Sequence, residues 1–204
     1  MFVFAEGWCY YRTMEQRLKQ ILSRSPKKRI VDTSLIPAAV LVPICCENGE
    51  YHLIFTKRTE TVKRHKGQIS FPGGACEKWD GTLADTALRE CTEEIGLATG
   101  AAEILGELDD IFTLGSGYVV TPFVAVIPWP CSLKVDPTEV EEIIKVPISA
   151  LLDKNCIRQE TEIRDGRVFN AYFYNYQGKV IWGATARILS QFLDIFAQVM
   201  KNKE

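Results

Sequence analysis

Hydrophobic and polar positions along the chain predict many strands and only a few helices. Apolar runs over 38–45 and 51–56 are typical of strands, and the Glu-Asn-Gly-Glu segment at 47–50 between them predicts a hairpin turn. Further strand-like runs follow at 111–114, 118–127, 143–146, 167–174 and 179–182. Helical spacing of apolar residues marks three segments, about 14–22, 82–95 and 184 onward. In the last helix the apolar face comprises Ile188, Leu189, Phe192, Phe196 and Val199.

Many strands with two long helices in the body indicate one layered α+β domain. The first helix is expected to end near 25–26, where a serine precedes a proline, and to be peripheral. We therefore assign residues 1–34 to an N-terminal tail and helix and residues 35–204 to the main domain. Met14 is an alternative start of the protein, in which case residues 1–13 are a tail.

Composition and charge narrow the classes of function. The 204 residues suit one domain, with 47% hydrophobic and 25% charged residues as in ordinary globular proteins. A net charge of −2 offers no general attraction for nucleic acid or an anionic membrane, so neither partner is predicted. Seven cysteines without a CxxC pair and only two histidines argue against a disulfide framework and a zinc site. Reduced thiols and an N-terminus unlike a signal peptide predict a cytoplasmic protein.

The helix predicted over 82–95 carries an unusual cluster of acids. Its buried stripe at i,i+4 spacing comprises Leu83, Ala87, Cys91 and Ile95. Glu90 and Glu94 fall about 40° apart along one edge of that stripe, with Glu93 beside them. Their repulsion is relieved locally by Arg89 alone, and a hard divalent cation such as Mg²⁺ would relieve it further. The alternative is a solvated helix face, which is common for such charge runs.

The neighbouring motifs give this helix a family resemblance. The segment 67–74 reads Gly-Gln-Ile-Ser-Phe-Pro-Gly-Gly, and paired glycines allow the backbone to approach a ligand closely. Together with Arg-Glu-Cys-Thr-Glu-Glu-Ile-Gly-Leu at 89–97, it resembles the signature of the Nudix hydrolases. The second half of the signature matches at every fixed position. The first half departs twice, with Asp80 in place of glutamate and one extra residue before Arg89.

A longer likeness points to one branch of that family. The stretch 53–74, which ends in Phe-Pro-Gly-Gly, and the tail 181–188 resemble the coenzyme A pyrophosphatases, and the likeness spans roughly 35–195. It implies a Nudix-type α/β/α sandwich with a mixed β-sheet. The implied reaction is hydrolysis of coenzyme A or acyl-coenzyme A to 3′,5′-ADP and a phosphopantetheine product. The implied partner is therefore a small nucleotide substrate, and a homodimer is left as an open alternative.

The resemblance also implies roles for individual residues. Mg²⁺ or Mn²⁺ would be the cofactor, held by Glu90 and Glu94, with the Gly73 carbonyl as a further ligand. Glu93 would be either another ligand or the group that orients water. The catalytic set is thus Glu93 and Glu94 with Arg89, which is expected to hold Glu93 in its rotamer.

A basic block just upstream is suited to a polyanion. Residues 57–66 contain His65, one acid and five cations. The cations are Lys57, Arg58, Lys63, Arg64 and Lys66. The predicted substrate-binding residues are Arg58, Arg64, His65, Lys66 and Gly74. Among them, Arg58, Arg64 and Lys66 are expected to supply the cationic contacts that coenzyme A needs, and the sequence leaves open which of them meets the 3′-phosphate. The alternative is a solvated basic loop.

Other readings stay open. The signature fixes pyrophosphate chemistry, so hydrolysis of ADP-ribose, dinucleoside polyphosphates or oxidised dNTPs is an alternative, as is a nucleotide-binding module without catalysis. A second acidic group is interpreted as surface charge, with a further ligand or a base as its alternative; it comprises Glu139, Glu141 and Glu142. The segment 114–118 is expected to be a turn or a loop lining the substrate, and Trp182 and Phe192 are expected in the core.

Overall fold

The structure is a computed structural model and describes residues 4–61, 65–113, 115–164 and 167–201. The helices, in chain order, are α1 (Phe4–Arg24), α2 (Leu83–Ile95), α3 (Ile148–Leu151) and α4 (Gly183–Lys201). The strands, in chain order, are β1 (Ile36–Glu47), β2 (Glu50–Arg58), β3 (Ile69–Ser70), β4 (Gly73–Ala75), β5 (Glu103–Glu107), β6 (Ile111–Phe112), β7 (Tyr118–Val126), β8 (Val140–Pro147), β9 (Ile157–Arg164), β10 (Arg167–Tyr176) and β11 (Lys179–Ile181).

Two sheets are formed by the described strands. The larger one follows the order β3-β2-β1-β7-β5, with β4 also on β1, β6 also on β7 and β8 also on β2. In this sheet β1 and β7 run parallel, whereas the other pairs are antiparallel, so the sheet is mixed. The smaller sheet is antiparallel, in the order β11-β10-β9.

Strand β1 has a core on each of its two faces, because successive side chains of a strand point to opposite sides. One set of its buried residues shares a hydrophobic cluster with α1 and α4: Ala38, Val42 and Ile44. The alternate set packs with the buried stripe of α2: Ala39, Leu41 and Cys45. The sheet therefore lies between helices on both faces, and the predicted α/β/α sandwich with a mixed sheet is confirmed.

The hairpin and the acidic helix follow the sequence signals closely. Glu47 and Glu50 face each other in the register of β1 and β2, as the 47–50 turn predicts. Helix α2 begins after Thr82, whose hydroxyl accepts the backbone N–H of Asp85 at 3.2 Å. It ends at Gly96, which adopts the left-handed conformation of a helix cap.

Helix α1 is longer and less peripheral than predicted. It begins at Phe4 rather than near residue 14, because a helix that is already packed gains a hydrogen bond with each added residue and needs no new nucleus. Its stripe of Met14, Leu18 and Leu22 is buried in the same hydrophobic cluster as α4. The contact with β5 is close, since a Cβ atom on Gly106 would lie 2.7 Å from the Cβ of Leu22. The domain boundary placed at 34/35 remains a prediction.

Several strands differ from their predicted extent. Strands β3, β4 and β5 were not predicted, because strands of two to five residues show too little alternation to detect. Strand β9 was missed since most of its residues with described side chains are exposed and polar. Strands β8 and β10 run past their predicted ends. Strand β6 ends at Phe112, and Leu114 of the predicted segment lies outside the described residues.

Helix α4 buries the predicted apolar face, and Phe192 is fully enclosed in the core. The core position expected for Trp182 is wrong, because this residue precedes the first turn of α4 and its side chain is 46% exposed. No helix among the described residues has the length and hydropathy that a membrane crossing requires.

Leu18→Ala should lower the free energy of unfolding by about 2–5 kcal/mol, because it leaves a cavity where α1 meets the rest of the core. Urea denaturation followed by circular dichroism measures the change. Leu152→Ala is the matched control, since the Leu152 side chain is 42% exposed and its loss should cost about 0.5 kcal/mol or less. Equal effects of the two substitutions would contradict a structural role for α1.

Candidate active site

Asp80 and Arg89 form the best-connected ion pair of the acidic helix. The Asp80 carboxylate, which is 3% exposed, accepts hydrogen bonds from Arg89 Nε and Nη2 at 2.9 Å each. It also accepts from the Thr86 hydroxyl and the Glu77 backbone N–H, both at 2.9 Å. These bonds, with those from Arg89 contributing most, hold the pKa of Asp80 well below its usual range. Two parallel bonds fix the plane of the guanidinium.

The fixed guanidinium of Arg89 then organises its neighbours. Arg89 Nη1 donates to Glu90 Oε1 at 2.8 Å and to Glu93 Oε2 at 3.0 Å. Arg89 Nη2 also donates to the carbonyl of Ala75 at 3.1 Å, which ties α2 to β4. The structure thus contains the contact expected between Arg89 and Glu93. It adds a shorter one to Glu90, so Arg89 sets the position of two of the three glutamates.

Glu90 occupies the space that a side chain on the neighbouring strand would need. A Cβ atom on Gly74 would lie 2.4–2.7 Å from the Glu90 carboxylate, and one on Gly73 would lie 2.3 Å from the carbonyl of Ala39. Gly74 is therefore required by the close approach of the Glu90 carboxylate, and Gly73 by the close approach of the β1 backbone. Burial raises the pKa of Glu90, although the hydrogen bond from Arg89 opposes the shift.

Glu94 is the most deeply buried of the three glutamates. Its side chain is 4% exposed, and its Oε1 lies 3.5 Å from Arg58 Nη1. Its Oε2 is buried and has no hydrogen-bond partner among the described residues. Burial raises the pKa of Glu94 to about 8; the Arg58 charge opposes this shift, while the charges of Glu90 and Glu139 add to it. A buried carboxylate oxygen without a partner is costly, so this position favours a bound cation.

Glu93 is placed differently, since its side chain is 59% exposed and its carboxylate is held by Arg89. Within the described ranges, no three acidic, histidine or cysteine side chains already converge as a metal-binding cluster. The carboxylates of the buried Glu94 and the half-buried Glu90 nevertheless have the oxygen chemistry that Mg²⁺ and Mn²⁺ prefer. The unpartnered Oε2 of Glu94 gives them an available ligand atom. The residues present therefore fit a hard divalent cation centred on Glu90 and Glu94.

A cavity of about 1010 Å³ adjoins the acidic cluster. On the side of the acidic helix its lining includes Gly73, Arg58 and Glu139, and elsewhere it includes Phe112, Trp182 and Arg187. The glutamates of α2 are not part of the lining. They meet the cavity through Gly74, which packs on Glu90, and through Arg58, which pairs with Glu94.

Arg58 lies between two carboxylates, those of Glu94 on α2 and Glu139 before β8. Its Nη1 faces Glu94, and its Nη2 donates to Glu139 Oε2 at 3.4 Å. Its Nε is buried without a hydrogen-bond partner in the described part of the chain. Arg58 therefore lines the cavity as predicted for a substrate contact, but two of its nitrogens already face carboxylates.

Of the other predicted substrate-binding residues, some line the cavity and others do not. Gly74 and His65 line the cavity, and His65 Nδ1 lies 2.9 Å from the Gln68 side-chain oxygen. Lys66 is exposed and lies outside the cavity lining. Arg64 falls outside the described residues.

The second acidic group divides in the structure. Glu141 pairs with Lys57 at 2.8 Å and Glu142 with Lys179 at 2.6 Å, so the interpretation as surface charge fits both. Glu139 instead lines the cavity beside Arg58. The sequence alone suggests one group, because the three glutamates lie within four consecutive positions. Glu141 and Glu142 lie in β8, whereas Glu139 immediately precedes this strand.

Sequence reasoning missed the far side of the cavity. Phe112, Tyr172 and Arg187 all line it, yet only Arg187 belonged to a motif noticed in the sequence, the tail at 181–188. The resemblance of this tail to the coenzyme A pyrophosphatases did not indicate a role for Arg187. Ser116 and Tyr118 also line the cavity, which agrees with the substrate-lining alternative for the loop 114–118.

Comparison with known proteins places these features in a family. The NUDIX domain family matches residues 35–172. The Nudix hydrolase NudL of Photorhabdus laumondii is 39% identical over 166 residues, which cover 81% of this chain and 87% of that protein. The NudL protein of Yersinia enterocolitica is 31% identical over 178 residues, which cover 87% of this chain and 90% of that protein.

The fold agrees with a solved structure of the same kind. The MutT protein of Methanosarcina mazei superposes with a TM-score of 0.50, covering 88% of this chain and 99% of that one at 19% identity. This similarity supports the fold alone. The family match and the two relatives confirm the family resemblance seen in the motif. The chain therefore belongs to the Nudix hydrolases, enzymes that hydrolyse the pyrophosphate bond of nucleoside diphosphate derivatives.

Proposed function

We propose that this enzyme hydrolyses coenzyme A or an acyl derivative, with Mg²⁺ or Mn²⁺ as cofactor. The products would be 3′,5′-ADP and phosphopantetheine or its acyl form. The observation that carries the proposal is the cavity of about 1010 Å³ beside the acidic cluster. It is at the upper end of the volumes found for small-molecule sites, so it can hold a substrate much longer than its pyrophosphate. The branch-like stretch 53–74 supports the same substrate.

The acidic helix supplies the ligands in this proposal. Glu90 and Glu94 would hold the metal, joined by the Gly73 carbonyl and by Glu93 once it leaves Arg89. A bound metal would polarise a phosphoryl oxygen and lower the pKa of a bound water. Arg89 keeps Glu90 against Gly74, and Asp80 keeps Arg89 in place. Their role is positioning.

Glu139 is the residue that we propose as the proton acceptor. It lines the cavity, and Arg58 Nη2 orients it from 3.4 Å. The carboxylate would take a proton from the attacking water as the new P–O bond forms. The bridging P–O bond then breaks, and the pyrophosphate becomes two phosphate monoesters. Arg58 would also offset the negative charge that gathers on the phosphoryl oxygens.

A cytoplasmic location belongs to the same proposal. Cys45, Cys76, Cys91 and Cys131 are among the free cysteines of the described residues, as in proteins of reducing compartments. Burial raises the pKa of the Cys91 thiol to about 12, so this thiol is inert and serves as packing. We expect the partners to be small nucleotides rather than nucleic acid.

The first experiment is a panel of substrates with saturating Mg²⁺ or Mn²⁺, read by the mass of the products. Coenzyme A should yield a mass corresponding to 3′,5′-ADP. If ADP-ribose or a dinucleoside polyphosphate is cleaved and coenzyme A is not, the proposed substrate is wrong and only the reaction class stands. If no compound is cleaved, the result favours the alternative of a nucleotide-binding module without catalysis, which a binding measurement would then test.

Glu94→Gln should lower kcat/KM at least about 100-fold, because several kcal/mol of charge stabilisation depend on a bound ion and its ligands. Without metal, the variant should melt at or above the temperature of the wild type, since it removes a buried carboxylate whose Oε2 has no partner. Added Mg²⁺ should raise the melting temperature of the wild type more than that of the variant.

Glu103→Gln is the matched control, because Glu103 is exposed and pairs only with Lys19 on the surface in the described contacts. This variant should keep the activity and the metal response of the wild type. Substantial turnover by Glu94→Gln would remove Glu94 from the proposed ligand set.

Glu139→Gln should lower kcat by roughly 10²- to 10⁴-fold with little change in KM, because it removes the proton acceptor and keeps the shape of the side chain. Steady-state kinetics with coenzyme A measures both constants. Glu141→Gln makes the same chemical change two residues away, on a side chain that pairs with Lys57 outside the cavity lining. Similar kinetics for the two variants would show that Glu139 is not the base.

A further inference from the structure

Arg187 is a cation in the cavity without an acidic partner in the described part of the chain. Its guanidinium lines the cavity, and its Nη1 donates to the carbonyl of Phe112 at 2.9 Å. None of the described carboxylates forms an ion pair with it, whereas Arg58 faces both Glu94 and Glu139. Burial lowers the pKa of Arg187, which reflects a charge withdrawn from water. A half-buried cation without a described counter-charge is suited to bind an anion.

The first turn of α4 adds a second feature that favours an anion. Gly183, Ala184 and Thr185 line the same cavity. The backbone N–H groups of a first helical turn have no acceptor within the helix, and they form the positive end of the helix dipole. Arg187 follows Gly183 by four residues and so lies on the same face of the helix. The exposed ring of Trp182 lies beside this turn and also lines the cavity.

This part of the cavity is well separated from the acidic helix. One row of paired residues crosses four strands of the sheet, namely Ala75, Ala38, Val120 and Ile111. Three steps between neighbouring strands amount to roughly 14 Å. Phe112, which accepts the hydrogen bond of Arg187, follows the last residue of that row. Arg187 therefore contacts the strand that lies three steps away from the glycine strand β4.

We propose that Arg187 and the first turn of α4 form a second anion subsite, which receives a phosphomonoester of the substrate outside the pyrophosphate that is cleaved. The inference rests on the proposed function, in which this group is the 3′-phosphate of coenzyme A. The pantetheine arm is neutral and would leave the guanidinium uncompensated. The nucleotide half carries both the phosphate and a base, and Trp182 offers that base a ring to stack on.

The subsite revises the expectation for the 3′-phosphate. The sequence indicated Arg58, Arg64 and Lys66 as the cationic contacts of coenzyme A and left open which of them meets this phosphate. In the structure Arg58 faces two carboxylates, and Lys66 lies outside the cavity lining. Arg187 has a guanidinium whose planar fork suits two phosphate oxygens and which no described acid already binds.

The test compares two nucleotides that differ only in this phosphate. Calorimetry on the metal-free protein should show that 3′,5′-ADP binds roughly 10- to 150-fold more tightly than 5′-AMP, the range expected for one charge-assisted contact. Arg187→Gln should abolish that preference and leave the affinity for 5′-AMP unchanged. Arg24→Gln, at the exposed end of α1, should keep the preference. In kinetics, Arg187→Gln should lower kcat/KM for coenzyme A and spare dephospho-coenzyme A.

A wild type without the preference, or an Arg187→Gln variant that retains it, would overturn the subsite. Equal losses on coenzyme A and dephospho-coenzyme A would overturn it as well. Should the variant fail to fold, ³¹P NMR of 3′,5′-ADP on the wild type decides, because contact with a guanidinium should lower the second pKa of the 3′-phosphate from about 6. An unchanged pKa would count against the proposal. Failure of the proposed function is seen separately, as a wild type that does not cleave coenzyme A.

Discussion

The hydrogen-bonded pair of Asp80 and Arg89 is the constraint on which the site depends. Three like charges on one helix face repel each other, and burial of two of them adds a desolvation cost. Arg89 offsets part of this cost because one guanidinium contacts Glu90, Glu93 and the backbone of β4 at once. Asp80 makes that possible by fixing the guanidinium in the loop before the helix. Glu94 lies outside this network and stays poised for a ligand.

The two-sided core lets the protein tolerate so unfavourable a cluster. Strand β1 contributes buried residues to a hydrophobic cluster on each face, so α2 is held by apolar packing that does not involve its acids. Ala87, Cys91 and Ile95 of α2 are fully buried in that packing. The acidic edge of the helix can then be arranged for binding rather than for stability, which is common in active sites.

Sequence patterns predicted the features that depend on residues close together in the chain. The stripe and the bounds of α2 could be predicted, because both depend on residues within a turn or two. The three carboxylates could be placed on one face for the same reason. The cavity, the partners of Arg58 and the position of Arg187 could not, since they depend on strands far apart in the sequence. Strand β4 is too short to show a period.

Formation of the site depends on the parallel pairing of β1 with β7, a contact between residues far apart in the sequence. Contacts of this kind form slowly during folding. Ile36 pairs with Tyr118, so about eighty residues lie between the partners, and α2 and the glycine strand both belong to that intervening segment. Closing so long a loop costs chain entropy before the pairing is gained, and contacts of this type slow folding. The glutamates can meet the cavity only after the two strands have joined. Both strands also line the cavity, so formation of the site depends on this long-range pairing.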